Sequence, residues 1–262
     1  MDLDLTGKRA IVCGSTQGIG KASAFEIAAL GANVVLVARN ENALKQTLNE
    51  LDTSKGQQHY YITADFTNPE GLKKSIENFI AENGSIHILV NNTGGPPGGL
   101  AIESNPEAFS EAFSMHIICN QILVQAVVDG MKAEKYGRII NIISTSVKVP
   151  IPGLGISNTI RGAVASWAKT LANELGIHGI TVNNILPGFT NTARLGHLFK
   201  NKAEKTGKTV EQIGKEAALQ IPLGRIGEAE EIANAVAFLA SPAASYISGI
   251  NLTVDGGRTG CL

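Results

Sequence analysis

Short apolar runs alternate with longer stretches of helical periodicity along the whole chain. RAIVCG (9–14), ANVVLVA (32–38), HYYITAD (59–65), HILVNN (87–92), GRIINIIS (137–144), ITVNNILPG (180–188) and GINLTVDGG (249–257) predict strands. Between them, KASAFEIAALG (21–31), ENALKQTLNEL (41–51), NPEGLKKSIENFIAENG (68–84), a long run over 106–135, a segment from about Ser157 to Leu175 and EAEEIANAVAFLAS (228–241) predict helices. Gly31 suits a left-handed cap at a helix end, and Pro69 suits a first helical turn. The strands are continuous apolar runs, the pattern of strands covered on both faces. Strand–helix alternation with right-handed crossovers predicts an α/β fold, a Rossmann-type doubly wound parallel sheet of seven strands with helices on both faces. No linker or composition break divides residues 1–262, which read as one domain. The stretch 190–225 is helical and charged and lies between two strands, where a cover over a site can grow.

Composition narrows the picture. Apolar residues make up 44% and charged residues 17%, which supports a sizeable core and excludes a disordered chain. The net charge is −1 with Lys and Arg scattered singly, so no basic face for nucleic acid is expected. Cys13, Cys119 and Cys261 form no CxxC or Cys/His cluster, so neither a metal site nor a disulfide framework is expected, and a reducing compartment is the default. MDLDLTGKRAIV carries acidic residues where a leader peptide is basic. No apolar run approaches the ~18 residues of a membrane span. A cytoplasmic protein without membrane attachment is expected.

The first strand delivers the chain into GSTQGIG, residues Gly14, Ser15, Thr16, Gln17, Gly18, Ile19 and Gly20. Gly14 permits a tight bend, Gly18 close approach to a phosphate and Gly20 close helix packing. The following helix presents unpaired N–H groups and the positive end of its dipole to a pyrophosphate. Three glycines in a turn are weak alone; opening a helix directly after the first strand, they predict dinucleotide binding. NAD sites place an acid at the end of the second strand, for the ribose 2′-hydroxyl. This chain has VARN there, and no acid before Glu41. Arg39 can pair a 2′-phosphate bidentately, so NADP(H) is expected over NAD(H).

With these residues in place, the chain resembles the short-chain dehydrogenase/reductases, in particular their 3-oxoacyl-acyl-carrier-protein reductase-like members, over almost its whole length. GSTQGIG matches the family's glycine motif, with Cys13 where Thr usually precedes it. Asp65, beside Phe66, matches the adenine-contacting acid, and NNTG (91–94) matches the NNAG motif, bringing in Asn92 and Gly94. Pro187 and Gly188 match the PG motif, with Thr190 and Thr192 placed as in members that hold the cofactor's carboxamide and phosphates. The resemblance implies hydride transfer between NADP(H) and a carbonyl/alcohol substrate, and a homotetramer assembled through the long helices and the C-terminal segment.

The family's Asn, Ser, Tyr and Lys catalytic set is matched at one position. Ser144 falls at the serine. Counting the family's usual gap forward lands on Ser157 where Tyr is expected, and four residues further on lies Arg161 where Lys is expected. The Asn position falls on His116. Lys169 is two turns too late to substitute, and Tyr60, Tyr61, Tyr136 and Tyr246 lie near other strands or edges. Ser157 is a far weaker acid than a phenol and a shorter side chain; its structural reading is a helix N-cap. Arg161 is permanently charged. It can hold a ribose hydroxyl or stabilise charge on a substrate oxygen, or else form a structural ion pair. His116, with a reference pKa of about 6.5, suits proton transfer near neutrality, or else is simply packed. Ser144 can orient a carbonyl oxygen.

Two functions stay open. One is a reductase with an altered proton donor, slower by the ~10²–10⁴-fold that general acid catalysis supplies. The other is a degenerate dinucleotide-binding protein, a sensor or partner subunit. Lyase or epimerase chemistry in the same pocket is a weaker third. The loop GGPPGG (94–99) is expected to wall a substrate pocket at the C-terminal edge of the sheet.

Overall fold

The computed structural model describes residues 1–261. Seven strands form one sheet: β1 (Arg9–Cys13), β2 (Asn33–Ala38), β3 (Tyr60–Thr63), β4 (Ile88–Asn91), β5 (Gly137–Ile142), β6 (Ile180–Pro187) and β7 (Asn251–Val254). Their order is β3-β2-β1-β4-β5-β6-β7 and every pairing is parallel. The helices are α1 (Gly18–Ala29), α2 (Glu41–Glu50), α3 (Pro69–Asn83), α4 (Pro106–Phe113), α5 (Cys119–Glu134), α6 (Gly155–Leu175), α7 (Ala193–Thr206), α8 (Val210–Ala218) and α9 (Ala229–Ala240). The strand order reverses between β1 and β4, and in such sheets ligands bind in the crevice beyond the carboxyl ends at that reversal.

Alternate residues of each strand feed two cores, so continuous apolar strands are required. Ile11, Val35, Leu89 and Ile139 pack with Leu72, Leu123, Val127 and Leu171 on one face. Ala10, Val12, Leu36, Ile88 and Ile140 pack with Ile27, Ile232 and Val236 on the other.

The run 106–135 is helical as expected from Pro106 to Glu134, with a π-helical segment, Ser114–Ile118, between α4 and α5. One helical expectation is corrected. Helix α6 starts at Gly155, with Leu154 as its N-cap, so Ser157 lies inside the first turn, buried, and caps nothing. The helical run Pro106–Glu134 is long and apolar enough to cross a membrane by length and composition, contrary to the sequence reading. Its Leu123, Val124, Val127 and Met131 are buried in the core.

A feature of the sheet escaped the sequence reading. Asn91, Asn141, Asn184 and Asn251 stand in register on four adjacent strands. Asn91 Nδ2 donates to Asn141 Oδ1 at 2.8 Å, Asn141 Nδ2 to Asn184 Oδ1 at 2.9 Å, and Asn184 Nδ2 to Asn251 Oδ1 at 2.8 Å. The two inner amides, Asn141 and Asn184, each donate and accept within the ladder, while Asn91 Oδ1 at its end is buried without a partner. An unmatched buried polar group costs roughly 1–3 kcal/mol. Asn141→Leu strands a donor on Asn91 and an acceptor on Asn184, and is expected to lower unfolding free energy by about 3 kcal/mol in urea denaturation.

Candidate nucleotide and substrate site

The glycine turn is built by steric exclusion. Gly14 adopts φ +61°, which L side chains rarely reach. A Cβ on Gly20 would lie 2.2 Å from the Gly14 carbonyl oxygen, so no larger residue fits where α1 meets the turn. Asn92, at the end of β4, donates from Nδ2 to the Cys13 carbonyl at 3.1 Å and pins the turn from behind. Ser15 is fully buried beneath it, with its Oγ 3.5 Å from the Val37 carbonyl. Thr16 and Ile19 are half-buried, and Ile19 packs against the α1–α9 contact. Gln17, the N-cap of α1, makes no side-chain cap hydrogen bond, and the first turn carries no acid. The leading N–H groups of α1 are therefore uncapped, the arrangement that accepts an anion.

The C-terminal side closes on this turn. A Cβ on Gly18 would lie 3.2 Å from Thr192 Cγ2, so Thr192 stands directly over it. Thr192 caps α7, its Oγ1 accepting from the Leu195 N–H at 3.3 Å. Thr190 is buried, with Oγ1 donating to the Gly188 carbonyl at 3.2 Å. Gly188 follows Pro187 at the end of β6, and a Cβ there would run into Asp255 at 2.6 Å. At the other wing, Arg39 is exposed beyond β2, with no hydrogen bond or ion pair among the described residues. Asp65 accepts from the Thr67 N–H at 2.9 Å, which holds its carboxyl below the usual carboxylate range. Beside it, the Phe66 ring is buried in the core with Leu72 and Leu123.

Beyond the ends of β4 and β5 lies a second group of residues. Ser144 follows β5; its Oγ accepts from the Ser146 N–H at 3.1 Å, which leaves its own O–H to donate. Arg161 of α6 is 8% exposed and donates from Nη1 to the Ile142 carbonyl at 3.1 Å. No carboxylate pairs with it among the described residues, so the ion-pair reading is corrected. Burial, then the neighbouring Arg194 charge, pull its pKa down to about 10. Arg194, on the first turn of α7, was missed by the sequence reading; its Nη2 donates to the Pro96 carbonyl at 2.5 Å. The exposed Gly94 opens the loop that both arginines face.

His116 sits in the π-helical segment, 2% exposed, against the Gly94 backbone and near Arg161. Its Nε2 is buried without a hydrogen-bond partner. Burial, reinforced by the Arg161 charge, lowers its pKa to about 3. The expectation of a proton donor near neutrality is therefore corrected: the ring is neutral across the physiological range. π-helical insertions occur frequently at functional sites.

The order of these elements matches known proteins. The family description of enoyl-(acyl carrier protein) reductases matches residues 14–259. The chain belongs to the short-chain dehydrogenase/reductase family. It is 34% identical over 256 residues to the 3-oxoacyl-acyl-carrier-protein reductase FabG of Vibrio cholerae, covering 97% of this chain and 98% of that one. Among solved structures, L-sorbose reductase from Gluconobacter frateurii, complexed with NADPH and L-sorbose, superimposes with a TM-score of 0.93 at 31% identity over 100% of both chains. YwfH, an NADPH-dependent reductase involved in bacilysin biosynthesis, superimposes with a TM-score of 0.92 at 28% identity, covering 97% of this chain and 99% of that one.

The burial of His116 has a testable sign. A ring of folded pKa about 3 takes up its proton more readily when unfolded, near pH 6.5. The unfolded state binds more protons between those values, so stability falls as pH drops from about 6.5 toward 3, with a limiting slope of about 1.4 kcal/mol per pH unit. His116→Gln is expected to show a shallower acid-side decline in urea midpoints, and the wild-type ring to show no NMR titration between pH 5 and 8.

Proposed function

We propose that the protein is an NADP(H)-dependent oxidoreductase that passes hydride between the cofactor and a carbonyl/alcohol pair. The observation that carries this reading is the cradle itself. Gly20 and Gly14 leave no room for a Cβ, α1 begins uncapped, and Thr192 stands over Gly18. These residues fit a dinucleotide diphosphate, with Asp65 toward the adenine and Arg39 toward a 2′-phosphate. L-sorbose reductase, solved with NADPH, supports the same choice of nucleotide. When bound, the nicotinamide supplies the hydride.

The chain's own residues do the rest. Ser144 has a free O–H at the end of β5 and orients the carbonyl oxygen. The Arg161 charge, poorly screened by its burial, stabilises negative charge that grows nearby. Relative to the family pattern, Ser157 and Arg161 stand where a tyrosine and a lysine are usual, so no phenol donates the proton. His116 is neutral and does not replace it as an acid. The proton comes from solvent and turnover is slow. One fact favours the alternative of a dinucleotide-binding protein without turnover: none of Ser144, Ser157, Arg161 and His116 is an acid suited to neutrality.

The proposal extends to one domain, with α7 and α8 as a cover over the substrate side. It includes a cytoplasmic homotetramer acting on a small molecule. Phe113 and Ile118, each more than 40% exposed on the α4–α5 run, support burial of that run against another copy.

Calorimetric titration with NADPH and NADH tests the cofactor. Tighter binding of NADPH is expected, and Arg39→Ala is expected to weaken NADPH about 10- to 100-fold while leaving NADH almost unchanged. Heat from neither nucleotide defeats the reading. NADPH binding without oxidation by any member of a broad carbonyl panel decides for the non-catalytic alternative.

A further inference from the structure

Two arginines without carboxylate partners converge on one small space. A Cβ built on Gly95 would lie 3.4 Å from Arg194 Nη2 and 3.6 Å from Arg161 Nη2, so both guanidinium ends border the same point above the loop. They arrive from opposite sides. Arg161 comes from α6 and is pinned by the Ile142 carbonyl at the end of β5. Arg194 comes from the first turn of α7 and is pinned by the Pro96 carbonyl after β4. Among the described residues, no Asp or Glu lies within ion-pair distance of either.

This arrangement is costly as it stands. Arg161 is a buried charge without a carboxylate partner, which is destabilising; Arg194 is exposed, but its like charge lies beside the buried one and repels it. Arg194 also sits at the positive end of the α7 dipole, where a cation is disfavoured. A third group points the same way: the buried His116 Nε2, without a partner, lies in the same neighbourhood of Gly94 and Arg161. Each of these costs becomes a gain when an oxyanion enters. Guanidinium forks match the geometry of carboxylate and phosphate oxygens. Arg161 is anchored on the Ile142 carbonyl, two residues before Ser144, so its end of the space lies toward the proposed carbonyl position, while the Gly14–Gly20 cradle serves the cofactor's diphosphate and Arg39 its 2′-phosphate.

We infer that Arg161 and Arg194 form a binding site for a compact oxyanion, a carboxylate or phosphate ester, carried by the substrate itself, so that the protein acts on anionic carbonyl compounds. The inference rests on the proposed reductase reading for the position of the carbonyl beside Ser144; the anion site stands on its own geometry. Gly95, with no side chain, keeps the space between the two guanidinium groups open.

The test is a set of matched pairs: acetoacetate and methyl acetoacetate, 4-oxopentanoate and its methyl ester, dihydroxyacetone phosphate and dihydroxyacetone. Each is titrated calorimetrically into the protein with and without saturating NADPH, and NADPH oxidation is followed separately. In at least one pair the anionic member is expected to bind tenfold or more tighter than its neutral partner. That preference is expected to fall at least tenfold in Arg194→Met and in Arg161→Met. Arg194→Met is expected to hold its NADPH affinity within threefold. Gly95→Ala, which fills the space without removing a charge, is expected to weaken the anion and not the neutral member. Which pair responds distinguishes carboxylate from phosphate.

No preference in any pair, or no saturable anion binding up to 50 mM, overturns the inference. So does loss of NADPH affinity in Arg194→Met with the preference intact, since that assigns the guanidinium to the cofactor. Neutral members reduced as well as anionic ones leave the reductase reading standing and the anion site refuted. An anion preference in protein that binds no nucleotide supports the site and refutes the reductase.

Discussion

Asn92 is the contact on which the rest of the site depends. Consecutive residues of a strand face opposite ways, and here the alternation falls on two asparagines. Asn91 turns into the amide ladder that ties β4 to β5, β6 and β7, while Asn92 reaches back to the Cys13 carbonyl and fixes the glycine turn. The position of the turn is thereby set by the sheet rather than by the loop's own preferences. Since β1 and β4 are neighbours at the reversal of strand order and β4 pairs with β5, the turn, the start of the Gly94–Gly99 loop and the end of β5 lie along the same edge of the sheet.

The fold was legible because its strongest requirement is also its plainest signal. Strands covered on both faces must be apolar on both, and the runs at 9–14, 32–38, 87–92, 137–144 and 180–188 say so residue by residue. What stayed hidden was set by packing between distant segments. SMHII reads as ordinary helix, and nothing in its composition marks the π-helical turn that aims His116 inward. Ser157 looked like an N-cap on local preference. The start of α6 is instead fixed by a non-local bond, the Gly155 N–H to the Gly99 carbonyl at 3.0 Å. The burial of the Phe66 ring was hidden for the same reason, since it follows β3 in a turn and packs against Leu72 and Leu123 from other segments.

The candidate site was half legible for a related reason. The phosphate turn is local: seven contiguous residues whose glycines are each needed for shape. The arginine pair is assembled from residues 161 and 194 on different helices, and no spacing rule joins them. Arg194 did carry one signal, a cation in the first turn of a helix, against the dipole. A charge placed where the local field opposes it is worth noting in any sequence, because the structure then has to supply a reason.

The same burial decides both what the substrate pocket lacks and what it offers. Desolvation and the Arg161 charge keep His116 neutral, which removes a proton donor. The low dielectric that disfavours imidazolium also lets the guanidinium field act with little screening, since the attraction between opposite charges scales inversely with the effective dielectric constant. On the proposed reading, an anion entering this space meets Arg161, held by the Ile142 carbonyl, and Arg194, held by the Pro96 carbonyl, beside the N-terminal end of α7. A neutral ligand gains nothing from them and still has to displace their hydration. On the proposed reading, a pocket poor in acids and holding two guanidinium groups without carboxylate partners is better equipped to select and hold a charged substrate than to hurry its protonation, and selectivity for charge and slow turnover then have one physical origin.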